Sequence, residues 1–139
     1  GNAYDGVRIQ NSAVFKIDNI HVHQSDQNGF NIQSDTGVTR GQISNVYMDA
    51  ADDAGIYIDM SRVVMQNVIV SDSNYAITVA GSGDNATIIG CQSANIAQSS
   101  PINIDTNAEN CVVVGNRMDG SITDNSGTST VASNDTEAL

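Results

Sequence analysis

The sequence predicts an all-β fold, a single-stranded parallel β-solenoid of about five to six coils with no long helix. Three observations predict it. A short stretch alternating apolar and polar residues recurs along the chain, a second alternating stretch follows it in step, and the middle of each second stretch is Asn or Gly. Alternation with period two marks a strand with one buried face.

The first stretch is clearest in Gly55-Ile56-Tyr57-Ile58-Asp59. It returns as Gly6-Val7-Arg8-Ile9, Gly29-Phe30-Asn31-Ile32, Ala76-Ile77-Thr78-Val79 and Pro101-Ile102-Asn103-Ile104. The second is clearest in Met65-Gln66-Asn67-Val68-Ile69-Val70. It returns as Ile17-Asp18-Asn19-Ile20-His21-Val22 and Ile43-Ser44-Asn45-Val46-Tyr47-Met48, then more loosely around Ile88-Ile89-Gly90-Cys91 and Val113-Val114-Gly115-Asn116-Arg117-Met118. With Val7, Phe30, Ile56, Ile77 and Ile102 leading the copies, the unit repeats every 21 to 26 residues. Such a unit cannot bury its apolar face alone and must stack on its neighbours.

The corner residues are Asn19, Asn45, Asn67, Gly90 and Gly115. Asn and Gly enter the left-handed backbone region most readily. A corner there lets Ile17 and Ile20 both point inward although they lie three apart. An amphipathic helix has no such requirement.

Taken in order, residues 1–4 read as a lead-in, with Asn2 and Tyr4 continuing an upstream coil. Coil one, about 5–25, offers Val7, Ile9, Phe15, Ile17, Ile20 and Val22 to the core. Coil two, about 26–51, offers Phe30, Ile32, Val38, Ile43, Val46 and Met48, with extra residues in the turn-rich Ser34-Asp35-Thr36-Gly37. Coil three, about 52–73, stacks Ile56, Ile58, Val63, Met65, Val68 and Val70. Coil four has a turn cluster at Gly81-Ser82-Gly83-Asp84-Asn85, then Ile88 and Cys91; with no helix after it, its Gly-x-Gly is a loop and not a phosphate site. Coil five opens at Pro101, where a strand tolerates a missing donor. The coils are expected over 1–118, and 119–139 as a frayed last coil or a flexible or partner-ordered tail, in which Val131-Ala132-Ser133-Asn134 echoes Val113-Val114-Gly115-Asn116.

Sixteen acidic against five basic residues give a net charge of −11 and a pI near 4.1. That balance argues against nucleic acid and anionic membranes, which call for clustered Lys and Arg. It also disfavours a strongly anionic glycan unless calcium bridges the two. No apolar run is long enough to cross a membrane, and the N-terminus lacks a signal-peptide pattern. Cys91 and Cys111 both fall on inward positions in different columns and read as buried free thiols; a disulfide would need a suitable Cα separation. A stack of this height, about 25 Å at about 4.8 Å per layer, leaves strand edges at both ends, which points to a fragment, an oligomer or both.

This coil pattern, over roughly residues 5–118, resembles the right-handed parallel β-helix proteins, the pectate-lyase-like group. That group includes polysaccharide lyases, polygalacturonase-type hydrolases, C5-epimerases and bacteriophage tailspikes. The resemblance implies a right-handed stack, a saccharide groove along one face, a homo-oligomer, with a trimer favoured, and an extracellular or virion location.

Stacking makes ladders of the outward residues. The first is Arg8, Asn31, Tyr57, Thr78 and Asn103, flanked by Gln10, Gln33, Asp59, Ala80 and Asp105. Amide, hydroxyl, aromatic and carboxylate groups in this mix suit sugar hydroxyls, and these five are the expected carbohydrate-binding residues; a solvated strand face is the plainer alternative. The second ladder is His21, Tyr47, Ile69, Gln92 and Arg117, with His23, Asp49, Ser71, Ala94 and Asp119 two residues on. His23 and Asp49 fall in adjacent layers, as an oriented general base or as a surface hydrogen bond.

Asp26 aligns with Asp52, and Asp53 follows in the same corner. Like charges at such spacing raise a carboxyl pKa or recruit a cation, and paired acids are also what glycosidases use, while a solvated acidic corner is the plainer reading. A polysaccharide hydrolase or lyase using Asp26, Asp52, Asp53 or Asp59 is therefore the alternative to a binding module. A structural or assembly module is the third reading. Of the hydrolases' motifs, Asp52-Asp53 matches the Asp-Asp pair, while the Gly-His-Gly and Arg-Ile-Lys motifs have no counterpart. No organic cofactor is expected; calcium at the acidic corner is the single candidate.

Overall fold

The computed structural model describes residues 4–12, 14–34 and 40–137. The lead-in Asn2, the core candidate Val38 and the turn cluster beyond Ser34 lie outside them. Two parallel sheets wind up together. One holds β1 (Val7–Gln10), β3 (Phe30–Gln33), β5 (Ala54–Asp59), β7 (Tyr75–Val79), β10 (Ile102–Ile104) and β12 (Ile122–Asp124), in that spatial order. The other runs from β2 (Val14–Ser25) through β4 (Arg40–Ala51), β6 (Val63–Ser71), β8 (Thr87–Ile89) and β11 (Val112–Val114) to β13 (Thr130–Ala132), and β9 (Gln92–Ala94) also pairs with β6. The described chain is a parallel β-solenoid of about five turns without a helix.

The register follows the repeat. Val7, Phe30, Ile56, Ile77, Ile102 and Ile122 stand one above another. On the second sheet Ile17, Ile43, Met65, Ile88, Val113 and Val131 do the same. Fusing these columns gives one apolar core along the axis. Ile56, Ile58, Val63, Met65, Val68 and Val70 of coil three are all fully buried, whereas coil one, at the end of the stack, leaves Ile20 37 % exposed. Beyond residue 118 the stacking continues, with Val131 on Val113 and Ala132 on Val114.

All five corner residues read from the sequence have positive φ: Asn19 58°, Asn45 52°, Asn67 52°, Gly90 61° and Gly115 65°. Ser133, at 54°, extends the column. Asparagine adds what glycine lacks, because Asn67 Nδ2 donates to Asn45 Oδ1 (2.7 Å) and Asn45 Nδ2 donates to Asp18 Oδ1 (2.9 Å). Two more corners use the same backbone device with a more mixed composition. Gln24, Ala50, Asp72 and Asn95 form one column, at φ 56°, 62°, 52° and 53°; Arg62, Asn85 and Asn110 form the other, at 59°, 58° and 56°. Close packing sets one glycine: a Cβ on Gly41 would lie 2.1 Å from Phe15 Cζ, so the ring in coil one needs a bare Cα in the layer above.

Cys91 and Cys111 are free and buried. Cys91 shares the inward column of Val68, and Cys111 that of Ala86. Burial pushes the Cys91 thiol up to about 11 and raises that of Cys111. Both are protonated at neutral pH and serve as small core residues.

Candidate functional site

On the first sheet, Arg8, Asn31, Tyr57, Thr78 and Asn103 form the expected ladder, one per layer, and Thr123 continues it. The rungs differ in what they offer. Arg8 is exposed, and Tyr57, Thr78 and Asn103 are half-buried. Asn31 is only 8 % exposed; its Nδ2 donates to Asp5 Oδ2 (2.8 Å), and its Oδ1 is buried without a partner among the described residues. Asp5 also accepts from the Asn28 backbone N–H and Nδ2. Asn31 thus belongs to an inner polar brace, and the ladder is interrupted at its second rung. Burial, then the charges of Asp59, Asp105 and Asp53, raises the Tyr57 phenol above its ordinary pKa.

The four candidate catalytic acids do not form one group. Backbone bonds from Asp52 N to Ser25 O and from Asp53 N to Gln27 O bring Asp52 one layer above Asp26, with Asp53 beside it, all three exposed. Asp59 lies at the other end of β5, roughly 20 Å along a strand rising about 3.3 Å per residue. There its Oδ1 accepts from Ser82 N (2.9 Å), so it caps the turn that follows β7. Among the described residues no three His, Cys, Asp or Glu side chains converge into a metal site. The acidic corner is therefore three exposed carboxylates in two adjacent layers, not gathered around a common point.

The outward face of β2, β4 and β6 is better built. His23 Nδ1 lies 2.7 Å from Asp49 Oδ2, Ser71 Oγ donates to Asp49 Oδ1 (3.1 Å), and the Tyr47 hydroxyl is 3.1 Å from Ser71 Oγ. The His21 ring stacks tilted on Tyr47 with centroids 4.7 Å apart. Hydrogen bonds from His23 and then Ser71 hold the Asp49 carboxyl below its ordinary pKa; those from Ser44 and then Asn45 do the same for Asp18. Beside this network runs an open groove of about 320 Å³ lined by Asn45 and Asn67 together with His21, Tyr47 and Ile69.

Chemically, this face offers flat apolar surface beside fixed donors and acceptors. The amides are tied to each other, Tyr47 is tied to Ser71 and through it to Asp49, and His21 rests on the Tyr47 ring, so little ordering remains to be done when a ligand arrives. Asp49 orients His23, a geometry that serves a general base. Ser71, however, touches the carboxylate and not the imidazole. The order is Ser–Asp–His, and a serine activated by its base would need Ser–His contact.

Sequence reasoning placed His23 beside Asp49 but treated Asn45 and Asn67 only as corner residues. The missed signal was an Asn column in three successive coils, two positions from an outward aromatic in the first two, His21 and Tyr47, and from Ile69 in the third. Comparison with family models, with curated proteins and with solved structures finds no match for the chain.

Proposed function

We propose that this chain is a carbohydrate-recognising β-solenoid module of the pectate-lyase-like kind, extracellular or virion-borne as in tailspikes, that takes a neutral saccharide along the groove beside the Asn column. The observation that carries this reading is the groove itself, where the Asn45–Asn67 amides face the His21 and Tyr47 rings. Aromatic faces accept the C–H side of a sugar ring, and amides exchange hydrogen bonds with its hydroxyls. The net charge of −11 fits a neutral glycan better than an anionic one. A cell-surface polysaccharide and a homo-oligomeric parent remain part of the proposal.

The test is a glycan array followed by titration of the best neutral hit. Tyr47→Ala or Asn67→Ala is expected to weaken binding about tenfold, the loss of one stacking or hydrogen-bonding anchor, while Tyr57→Ala on the other sheet leaves it unchanged. The opposite pattern moves the site to the first sheet, and no binding on the array removes the reading.

The second reading is a polysaccharide hydrolase or lyase, favoured by the oriented His23–Asp49 pair. It stands if the protein releases new chain ends from a polymer and His23→Gln abolishes the release. No release would reject it, and release that survives His23→Gln and the Asp26, Asp52 and Asp53 variants alike would mean that these residues do not carry it.

A further inference from the structure

Three of the five cationic side chains of this acidic protein surround one cleft. It is an open depression of about 650 Å³ at the start of β2, β4 and β6, lined by Lys16, Arg40 and Arg62 together with the apolar Val14, Phe15 and Val64. Val14 is 74 % exposed and Val64 39 %. Gly41 N donates to Arg62 O, which puts Arg40 and Arg62 in adjacent layers, with backbones about 4.8 Å apart.

None of the three cations is in an ion pair among the described residues, where the pairs are His23–Asp49 and Arg117–Asp135. Lys16 exerts on Asp18 only the last-ranked of four influences. Two guanidinium groups in adjacent layers repel each other, and among the described residues no carboxylate lines the cleft. An anion between Arg40 and Arg62 would turn that repulsion into two charge-assisted contacts.

Inorganic anions would leave the apolar surface uncovered. The volume is that of a small-molecule site, which joins apolar lining to a few placed charges. We propose that this cleft binds a small organic carboxylate, its charged group held by Arg40 and Arg62 and its apolar body laid on Val14, Phe15 and Val64. The site shares no residue with the saccharide groove, so either can fail without the other.

Calorimetric titration of the whole chain with decanoate, and separately with 1-decanol, tests it. The expected result is saturable one-to-one binding of decanoate, weakened about tenfold or more in Arg40→Gln/Arg62→Gln, with 1-decanol binding at least tenfold more weakly to the parent. If the double variant does not give the parent's circular dichroism spectrum, Arg62→Asn replaces it, since asparagine suits the φ of 59° at this position. Equal binding of decanoate by parent and variant, equal binding of 1-decanol, or no saturation below the micelle concentration overturns the proposal. So does self-association in sedimentation velocity that the double variant abolishes, because a second copy would then fill the cleft.

Discussion

Asn45 combines two requirements in one side chain. Its backbone sits at φ 52°, and its amide joins Asn67 to Asp18. Alanine loses both; glycine keeps the conformation and loses only the hydrogen bonds. Left-handed backbone costs an ordinary residue about 1–2 kcal/mol and a hydrogen bond contributes about 1 kcal/mol, so stability by denaturant titration should fall in the order parent, Asn45→Gly, Asn45→Ala. Equal losses for the two variants would mean that the corner is not strained. Asp49 gives a pH dependence. Its pKa is lower in the folded chain than the ordinary 3.8, so its stabilising effect is complete above that value and fades as pH falls through the lowered one. We expect Asp49→Asn to be less stable than the parent at pH 7 and the two to converge below pH 3.8; stability curves that stay parallel would contradict the hydrogen-bond account.

The elements are coupled mainly to the layers above and below, and this is why so much of the architecture could be read in advance. The apolar columns and the Asn/Gly corner were legible because one residue type had to recur at one place per lap. The corner through Gln24, Ala50, Asp72 and Asn95 was not, because four different residue types occupy its left-handed positions and leave no common compositional trace. Asn31 shows a second limit. Column logic gave its layer and neighbours correctly, but Asp5 pulls its side chain into the brace with Asn28, and nothing in the alternation of β3 indicates that. Asp59 and Asp53 were grouped as acids although the length of β5 separates them. At this scale the contact between Phe15 of β2 and Gly41 of β4 can be tested. Gly41→Ala forces the ring aside and should cost about 1–3 kcal/mol, and Phe15→Leu in the same chain should recover much of it. A double variant no better than the single one would place the strain elsewhere.

For the molecule as a whole, a stack in which each layer touches only its neighbours has a stability that is close to a sum along its length. Position then governs the cost of a core change. Ile56, fully buried in the third coil, has layers on both sides, while Val131 in β13 is 40 % exposed. Ile56→Ala should cost about 2–5 kcal/mol and broaden or split the unfolding transition, and Val131→Ala should cost less than about 1 kcal/mol. A comparable loss at both positions, with one sharp transition, would show that the stack unfolds only as an indivisible unit.

The register of β2, β4 and β6 has a consequence for how such a surface changes over time. Distances between successive groups along the groove are dictated by main-chain amides, whatever side chains hang from them. Mutation can therefore exchange the chemistry displayed at each step while the pitch stays constant; under the proposed saccharide reading, affinity for a new polymer can drift without disturbing the scale against which it is measured.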